Sequence, residues 1–445
     1  MIFTKKDIFK ILIPLVIEQF LTVSIGMIDS MMVSSAGEAA ISGVSLVDTL
    51  NLLLVYIFSA LSSGGAVVIS QFLGKKDNEK TQLASKLLVW VVFVVSCVLT
   101  FISVFFRRKM LSFVFGSVDA DVMSSAVIYF LYTALSYPFL ALYGAASAIF
   151  RSMGNTRISL IVSLLKNVIN VVGNAVLIFG FDMGAAGAAI ATLFSRVVGA
   201  LVMMVCLHGK HNLIQIDNIF RFKVDFSIIR RICAIGIPNG LENGMFQLGK
   251  VLTQSLVATF ATVQIAANSA ANSITSIQYV IGGAVSMTMV SVVGRCVGAG
   301  DKTLARKYAL MLMKIEYCLV FVLTGSIIVF AKPIVSWYNL SPESSTIAIL
   351  MVLIHSVGNL TVWPVAFTLP ASFRAASDVK YPMIISILSM WIFRVGLSYV
   401  LCKGFDVSIM GIWYAMMADW VFRAFVYVVR FQRGTWLTKY KEIKS

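Results

Sequence analysis

The chain has 445 residues, of which 59% are hydrophobic and only 13% are charged, whereas about 25% of the residues of a soluble protein carry a charge. This composition excludes a soluble domain and predicts a polytopic membrane protein built from helices, because helices satisfy their own backbone hydrogen bonds in lipid. The net charge of +16 does not indicate nucleic-acid binding, since the basic residues are spread over the short segments between hydrophobic runs. The six cysteines form no CxxC motif and no cluster with histidine, so we expect neither a disulfide framework nor a metal site.

Twelve apolar segments follow one another along the chain. They span residues 11–34, 45–70, 86–106, 123–148, 158–179, 186–207, 230–258, 269–294, 308–331, 346–370, 382–402 and 409–430. Each segment is long enough to cross a bilayer as a helix. An even number of crossings returns the C-terminus to the side of the N-terminus.

Lysine and arginine indicate the orientation of these helices. Most of them lie on the side of the N-terminus, and the opposite loops hold only Arg107, Arg108, Lys109, Lys332 and Lys403. Because cytoplasmic loops carry the excess of basic residues, we expect both termini in the cytoplasm and the protein in the plasma membrane. The basic group at 107–109 does not follow this distribution, which indicates that the third segment could be misplaced.

The two halves of the chain are related by an internal repeat. At one constant offset, Ile13-Pro14 aligns with Ile237-Pro238 and Glu18 aligns with Glu242. The repeat predicts an all-α membrane protein of twelve transmembrane helices, in two six-helix lobes related by pseudo-two-fold symmetry. The predicted parts are an N-lobe at 1–208 (helices 1–6), a cytoplasmic connecting loop at 209–229, a C-lobe at 230–431 (helices 7–12) and a cytoplasmic tail at 432–445.

Two carboxylates lie inside the first apolar segment, at Glu18 and Asp29. An ionised carboxylate in hydrocarbon costs several kcal/mol or more, so such residues usually face a cavity, a partner or an ion. Their spacing of about three turns places both on one face of the helix. We interpret Asp29 as a functional residue; the alternative for either residue is a bond to a neighbouring helix.

The fifth and sixth segments add neutral polar groups. Asn170 and Asn174 are one turn apart on one helix face, and Thr192 supplies a hydroxyl in the next segment. Carboxamide oxygens suit a cation, or a hydrogen bond with a protonated aspartate. Hydrogen bonding between helices is the structural alternative.

Charged residues also occur inside the apolar segments of the second half. Glu242 matches Glu18, and the two glutamates either line a cavity or have a structural role in both lobes. The other charges are candidates for cavity or structural roles. They are Lys250, which pairs with a carboxylate or repels a cation, Arg394, and Asp419, for which a local ion pair with the arginine at 423 is expected.

Several motifs together resemble the multidrug and toxic compound extrusion (MATE) transporters over nearly the whole chain. The motifs are IDSMMVSSAGEAAISGVSL, QFLGKKD, IFRSMGNTR with its partner SFRAASDVK, MWIFRV, GAAGAAIAT and GIWYAMMADW. The resemblance implies two six-helix lobes around a V-shaped cavity. It also implies export of diverse amphipathic, often cationic compounds in exchange for protons or sodium ions. No enzyme activity, cofactor, nucleic acid or obligatory protein partner is expected, and the partners are small-molecule substrates and membrane lipids.

The resemblance also assigns residues to roles. It maps the acidic residue of the family's N-lobe onto Asp29, and the neighbouring polar cluster onto Asn170, Asn174 and Thr192. Some members have an aspartate at the position of Asn174, and this aspartate helps to bind sodium. The amide in this chain weakens the case for a sodium site with two carboxylates. Binding of sodium at Asp29 alone is still an open alternative. Glu242 lies in the helix of the family's C-lobe carboxylate pair, about one turn displaced and without an evident partner.

Two alternatives remain open at this stage. A lipid or lipid-linked oligosaccharide flippase of a related fold would need a wide, basic cavity, which Lys166, Lys250 and Arg394 permit, but the set of motifs argues against it. A non-transporting receptor or scaffold is disfavoured by the internal repeat and the buried carboxylates.

Overall fold

The computed structural model describes residues 3–35, 37–116, 119–209, 212–214 and 224–440. Within these ranges the chain is helical and has no β-strand. The first helices are α1 (Lys5–Ser34), α2 (Glu38–Lys75), α3 (Asn78–Phe115), α4 (Ala120–Leu135), α5 (Tyr137–Met153), α6 (Thr156–Asn174) and α7 (Gly184–Leu207). A π-helical turn, Ala175–Gly180, continues α6.

The described residues of the second half form a further series of helices. They are α8 (Phe226–Val257), α9 (Thr262–Ser276), α10 (Tyr279–Gly298), α11 (Lys302–Val329), α12 (Ala331–Ser336), α13 (Pro342–Thr361), α14 (Pro370–Ala375), α15 (Lys380–Ser389) and α16 (Met410–Gln432). The π-helical segments of this half are Pro364–Thr368, Met390–Leu397 and Val400–Gly404, and a 3₁₀ turn, Thr435–Thr438, follows α16.

The helices account for the twelve apolar segments. In the described part of the chain, ten helical segments are long and apolar enough to cross a membrane, and the bent pair α4–α5 can form an eleventh. The remaining long helix is α8, whose 32 residues extend about 48 Å. Its apolar surface is interrupted by Glu242 and Lys250.

Two segments differ from their predicted form. The fourth is not one helix, because α4 and α5 meet at a bend of 44°. Pro138 lies in the first turn of α5, where its missing N–H interrupts the hydrogen bonds of a continuous helix. The third, α3, has 38 residues and reaches beyond the predicted end at 106. The basic group at 107–109 therefore belongs to a helix about 57 Å long, more than the roughly 30 Å of a hydrocarbon core.

The internal repeat reappears in the local structure. Asp77 caps α3 by accepting a hydrogen bond from the backbone N–H of Lys80 at 3.0 Å. Asp301, its counterpart in the second repeat, caps α11 by accepting from the backbone N–H of Leu304 at 2.8 Å. An aspartate at this position satisfies an N–H that has no partner within the helix, so the two halves begin corresponding helices in the same way.

The chain divides into two compact units. One contains Lys5–Gly240, and the other contains Met1–Thr4 with Leu241–Ser445. The lobe boundaries expected from the sequence stay predictions, and most of the expected connecting loop at 209–229 lies outside the described residues, as does the end of the tail. In the second unit a core of buried aromatic and aliphatic side chains includes Met351, Trp363, Trp413 and Trp420.

Candidate functional site

In the first unit, Asp29 lies against the end of α6. Asn174, the last residue of α6, donates its Nδ2–H to Asp29 Oδ1 at 2.9 Å. Asn170, one turn earlier, lies between Asp29 and Thr192 of α7. Asn170 and Asn174 are buried, at 6% and 1% exposed. These contacts bring together the four residues expected to couple cation binding to transport, which are Asp29, Asn170, Asn174 and Thr192.

The nitrogen of the Asn170 carboxamide, and not its oxygen, is the atom that suits charged Asp29. With its nitrogen toward Asp29 it donates to Oδ1 at 2.9 Å and to Oδ2 at 3.0 Å, while its oxygen accepts from Thr192 Oγ1 at 3.2 Å. With its oxygen toward Asp29 its nitrogen donates to Thr192 Oγ1 at 3.2 Å. A carboxylate only accepts hydrogen bonds, whereas a protonated carboxyl also donates one. The first orientation therefore suits the charged form of Asp29 and the second suits its protonated form.

A second carboxyl group near this site, Asp48 of α2, was not singled out from the sequence. Tyr129 donates its hydroxyl to Asp48 Oδ1 at 3.3 Å, and Asn51 donates to the same oxygen at 3.4 Å. Asp48 and Arg196 are both within electrostatic range of Asp29. The sequence did contain a signal for Asp48, because it is an ionisable residue inside the predicted span 45–70.

Lys166 and Arg196 bring positive charge to the same region. The ammonium group of Lys166 lies 4.9 Å from the ring centroid of Tyr143, and Arg196 donates to Ser136 Oγ at 2.7 Å. Both exert an electrostatic effect on Asp29. The site in the first unit thus combines two aspartates with two basic residues.

Glu18 and Glu242 occupy repeat-related positions with related neighbours. Glu18 is 8% exposed, accepts from Tyr143 Oη at 3.4 Å and is within electrostatic range of Arg151. Glu242 forms an ion pair with Arg374 at 3.4 Å. The arginines belong to the paired motifs IFRSMGNTR and SFRAASDVK. A shared arginine neighbour is typical of a structural role in both halves, and a role of either glutamate in a cavity stays a prediction.

The local ion pair expected in the last helix is confirmed. Arg423 donates its Nε–H to Asp419 Oδ1 at 2.8 Å, and Ser389 donates its hydroxyl to the same carboxylate oxygen. Both charged side chains are almost fully buried, so each charge is compensated by the other.

The structure places Lys250 and Arg394 together at one cavity of the second unit. The cavity has a volume of about 420 Å³. Each cation also lies near the ring of Phe246, at 5.2 Å for Lys250 and 5.4 Å for Arg394. Asp419, the third charge grouped with them from the sequence, does not line this cavity.

Sequence reasoning also missed Glu316 of α11. Its side chain is fully buried and accepts from Thr368 Oγ1 at 2.7 Å. It was detectable as a carboxylate inside the predicted span 308–331. The described residues contain no group of three or more histidine, cysteine, aspartate or glutamate side chains that could hold a metal ion.

Comparison with known proteins agrees with this architecture. An uncharacterised transporter of Bacillus subtilis, YisQ, is 25% identical over 443 residues, which are 97% of this chain and 95% of the relative. A probable multidrug resistance protein NorM of Thermotoga maritima is also 25% identical, over 97% of this chain and 93% of its own length. A solved outward-facing structure, described as a multidrug resistance MATE family transporter, superposes with a TM-score of 0.91. At 19% identity it covers 98% of this chain and 97% of its own.

The family model MatE matches the chain twice, at residues 14–176 and 238–400. The two matches are equally long, and their first positions, Pro14 and Pro238, are the prolines that the internal repeat aligns. The matches cover most of the chain, and the solved relative has the same fold. The chain therefore belongs to the MatE family, that of the multidrug and toxic compound extrusion transporters.

Proposed function

We propose that this protein is a secondary antiporter that exports amphipathic organic compounds, and that proton exchange at Asp29 drives the export. The observation that carries the proposal is the contact of Asp29 with Asn170 and Asn174, inside the membrane-spanning part of the chain. A half-buried carboxyl in contact with amides that suit both of its protonation states can exchange a proton without losing its hydrogen bonds. Relatives named as multidrug resistance proteins support an organic substrate.

Protons suit this site better than sodium ions. A hard cation requires several oxygen ligands, and the donors facing charged Asp29 are amide N–H groups. Asn174 donates its Nδ2–H to Asp29 Oδ1 at 2.9 Å. This hydrogen bond occupies a carboxylate oxygen that would otherwise be a ligand for a cation. Proton coupling is therefore the form of antiport that we propose.

Coupling follows from the contacts of Asp29 with two residues of α6. When Asp29 is charged, its bonds to Asn170 and Asn174 connect α1 to α6. Protonation reverses the Asn170 amide and weakens the hydrogen bond that Asn174 donates to Asp29, so it favours a different position of α1. Transport is coupled if substrate and proton prefer different conformations of the protein.

The test uses the purified protein in sealed vesicles containing a fluorescent amphipathic compound, with a cationic dye such as ethidium and an anionic dye tested in turn, and with a proton gradient and a sodium gradient imposed separately. We expect transport under the proton gradient alone, and its loss in Asp29→Asn. Asp182→Asn, an exposed carboxylate outside the predicted spans, is the matched control and should transport normally. Unimpaired proton-driven export by Asp29→Asn would overturn the proposal.

The location that we propose is the plasma membrane, with both termini in the cytoplasm, on the basis of the distribution of lysine and arginine. A lipid or lipid-linked oligosaccharide flippase remains the alternative function. The pair of cations Lys250 and Arg394 at the cavity of the second unit favours it.

A further inference from the structure

The cavity in the second unit corresponds to the Asp29 site of the first unit, with its polarity reversed. The family matches at 14–176 and 238–400 differ by 224 residues at both ends, and we align the positions of the two sites at that offset. The paired motifs of Arg151 and Arg374 differ by 223 residues, so the register next to them rests on the side-chain contacts described below. The aligned pairs are Gly26 with Lys250, Asp29 with Thr253, Asp48 with Asn272, Asn170 with Arg394, and Thr192 with Met416. Both acidic residues of the first site become neutral in the second, and two neutral residues become basic.

The side-chain contacts support this alignment independently of the sequence. In the first unit, the side chains of Asn170 and Thr192 lie 3.2 Å apart. In the second unit, the aligned residues make the corresponding contact, since Arg394 Nη2 lies 3.3 Å from Met416 Sδ. Two positions that pack together in one unit therefore also pack together in the other.

The aligned residues of the second unit line one cavity. Lys250, Thr253, Asn272 and Arg394 all belong to the wall of the 420 Å³ space, and its volume is within the range of sites for small organic ligands. Tyr279 and Trp413 add aromatic surface to the same wall.

The cations at this cavity have no direct ion-pair partner among the described residues, although Asp419 acts on Arg394 electrostatically. None of the described residues that line the cavity is acidic, and within the described ranges neither Lys250 nor Arg394 forms an ion pair. The nearby acid Asp419 is already paired with Arg423. The Phe246 ring next to both cations provides a cation–π contact, which is weaker than a full counter-charge. Two adjacent unpaired cations in the membrane are unfavourable unless an anion joins them.

We propose that this cavity binds the anionic group of an amphipathic organic substrate, such as a carboxylate, sulfonate or phosphate ester. Lys250 and Arg394 hold the anion, and Tyr279 and Trp413 contact the apolar part. The inference deepens the proposed function and rests on it for the statement that the ligand is transported. It departs from the cationic substrates that the family resemblance implies, because the two unpaired cations repel a positive ligand.

The test compares two dyes that share a xanthene ring system and differ in charge, fluorescein as the anion and rhodamine 123 as the cation. Binding to the full-length protein in neutral detergent is followed by fluorescence anisotropy, without any gradient. We expect the wild type to prefer fluorescein. Lys250→Gln and Arg394→Gln should each weaken fluorescein binding about 10-fold, as expected for the loss of a charged hydrogen bond.

Three further variants separate charge from folding. Lys250→Arg keeps the charge and should retain more fluorescein affinity than Lys250→Gln, and Lys332→Gln, an exposed residue outside the cavity, should have no effect. Thr253→Asp restores the acidic residue of the first unit and should shift the preference toward rhodamine 123. A wild type that prefers rhodamine 123, or Gln variants with unchanged fluorescein affinity, would overturn the inference.

Transport measurements separate this inference from the proposed function. If fluorescein binding requires Lys250 and Arg394 but no gradient moves either dye, the anion site stands and the antiport proposal fails. If a proton gradient exports rhodamine 123 in an Asp29-dependent manner and fluorescein does not bind, the anion site is wrong and antiport stands.

A competition experiment identifies the source of the anion. Displacement of fluorescein by phosphatidylglycerol, and not by phosphatidylcholine, assigns the site to an anionic lipid head group. Displacement by a soluble aromatic carboxylate alone assigns it to a soluble substrate. Both results support the anion site, and failure of every anion to displace the dye would contradict it.

Discussion

Asn174 donates a hydrogen bond of 2.9 Å to Asp29, although the two residues are far apart in the sequence. The bond joins α1 to the last residue of α6, where the helix continues as the π-helical turn Ala175–Gly180. Such turns occur frequently at functional sites. An amide at position 174 lets one carboxylate remain charged next to a hydrogen-bond donor.

Replacement of this amide by a carboxylate should create a cation site. In Asn174→Asp, two carboxylates lie at hydrogen-bond distance and cannot both remain charged without a shared proton or cation. We expect the thermal stability of the variant to increase with sodium concentration, measured as the unfolding midpoint in detergent with potassium as the control salt. Asn174→Leu should show no such sodium dependence. Equal responses of both variants would contradict this account of the site.

The Asp419–Arg423 pair should be essential for stability. In Asp419→Asn, Arg423 stays buried without its counter-charge, and breaking such a pair costs about 3–5 kcal/mol. The unfolding midpoint in detergent should fall strongly. The double variant Asp419→Asn/Arg423→Gln removes both charges and should recover part of the loss. A double variant as unstable as the sum of the single variants would show that the two charges do not interact.

Gly64 should not tolerate a side chain. A Cβ atom there would lie 2.5 Å from the backbone oxygen of Ile232 and 2.8 Å from the backbone nitrogen of Gly236, and these atoms cannot rotate away. We expect Gly64→Ala to lower the free energy of unfolding by about 1–3 kcal/mol, as overpacking does elsewhere. Gly244→Ala, where a Cβ meets no atom within 4 Å, is the control. Equal stability of the two variants would disprove the close approach of α2 and α8.

Asn51 should stabilise the start of α5, next to the bend between α4 and α5. Tyr137 donates its buried hydroxyl to Asn51 Oδ1 at 2.6 Å. Asn51→Leu leaves this hydroxyl without its acceptor and should cost about 1–3 kcal/mol. Adding Tyr137→Phe removes the unsatisfied group, so the double variant should be more stable than Asn51→Leu alone. Chemical denaturation of the three proteins measures this, and a double variant of lower stability would contradict the assignment.

Much of the site was predictable because its signals are local or periodic. A carboxylate in an apolar segment marked Asp29, and helical spacing placed Asn170 and Asn174 on one face. The same signals were present for Asp48 and Glu316 and were not followed. The partner of Glu242 could not be inferred, because Arg374 is distant in the sequence and nothing in the linear chain specifies how the two helices are rotated.

The sequence by itself determined the membrane-spanning helices, the duplication and the family, since hydrophobic length, charge distribution and repeated motifs are properties of the linear chain. Only the tertiary structure decided which polar groups meet. It placed two amides on Asp29, paired Glu242 with Arg374, and left Lys250 and Arg394 together at a cavity with no acidic residue among its described lining. These contacts depend on the rotation and packing of helices far apart in sequence, and they determine where charge is compensated and where a ligand must supply the compensation.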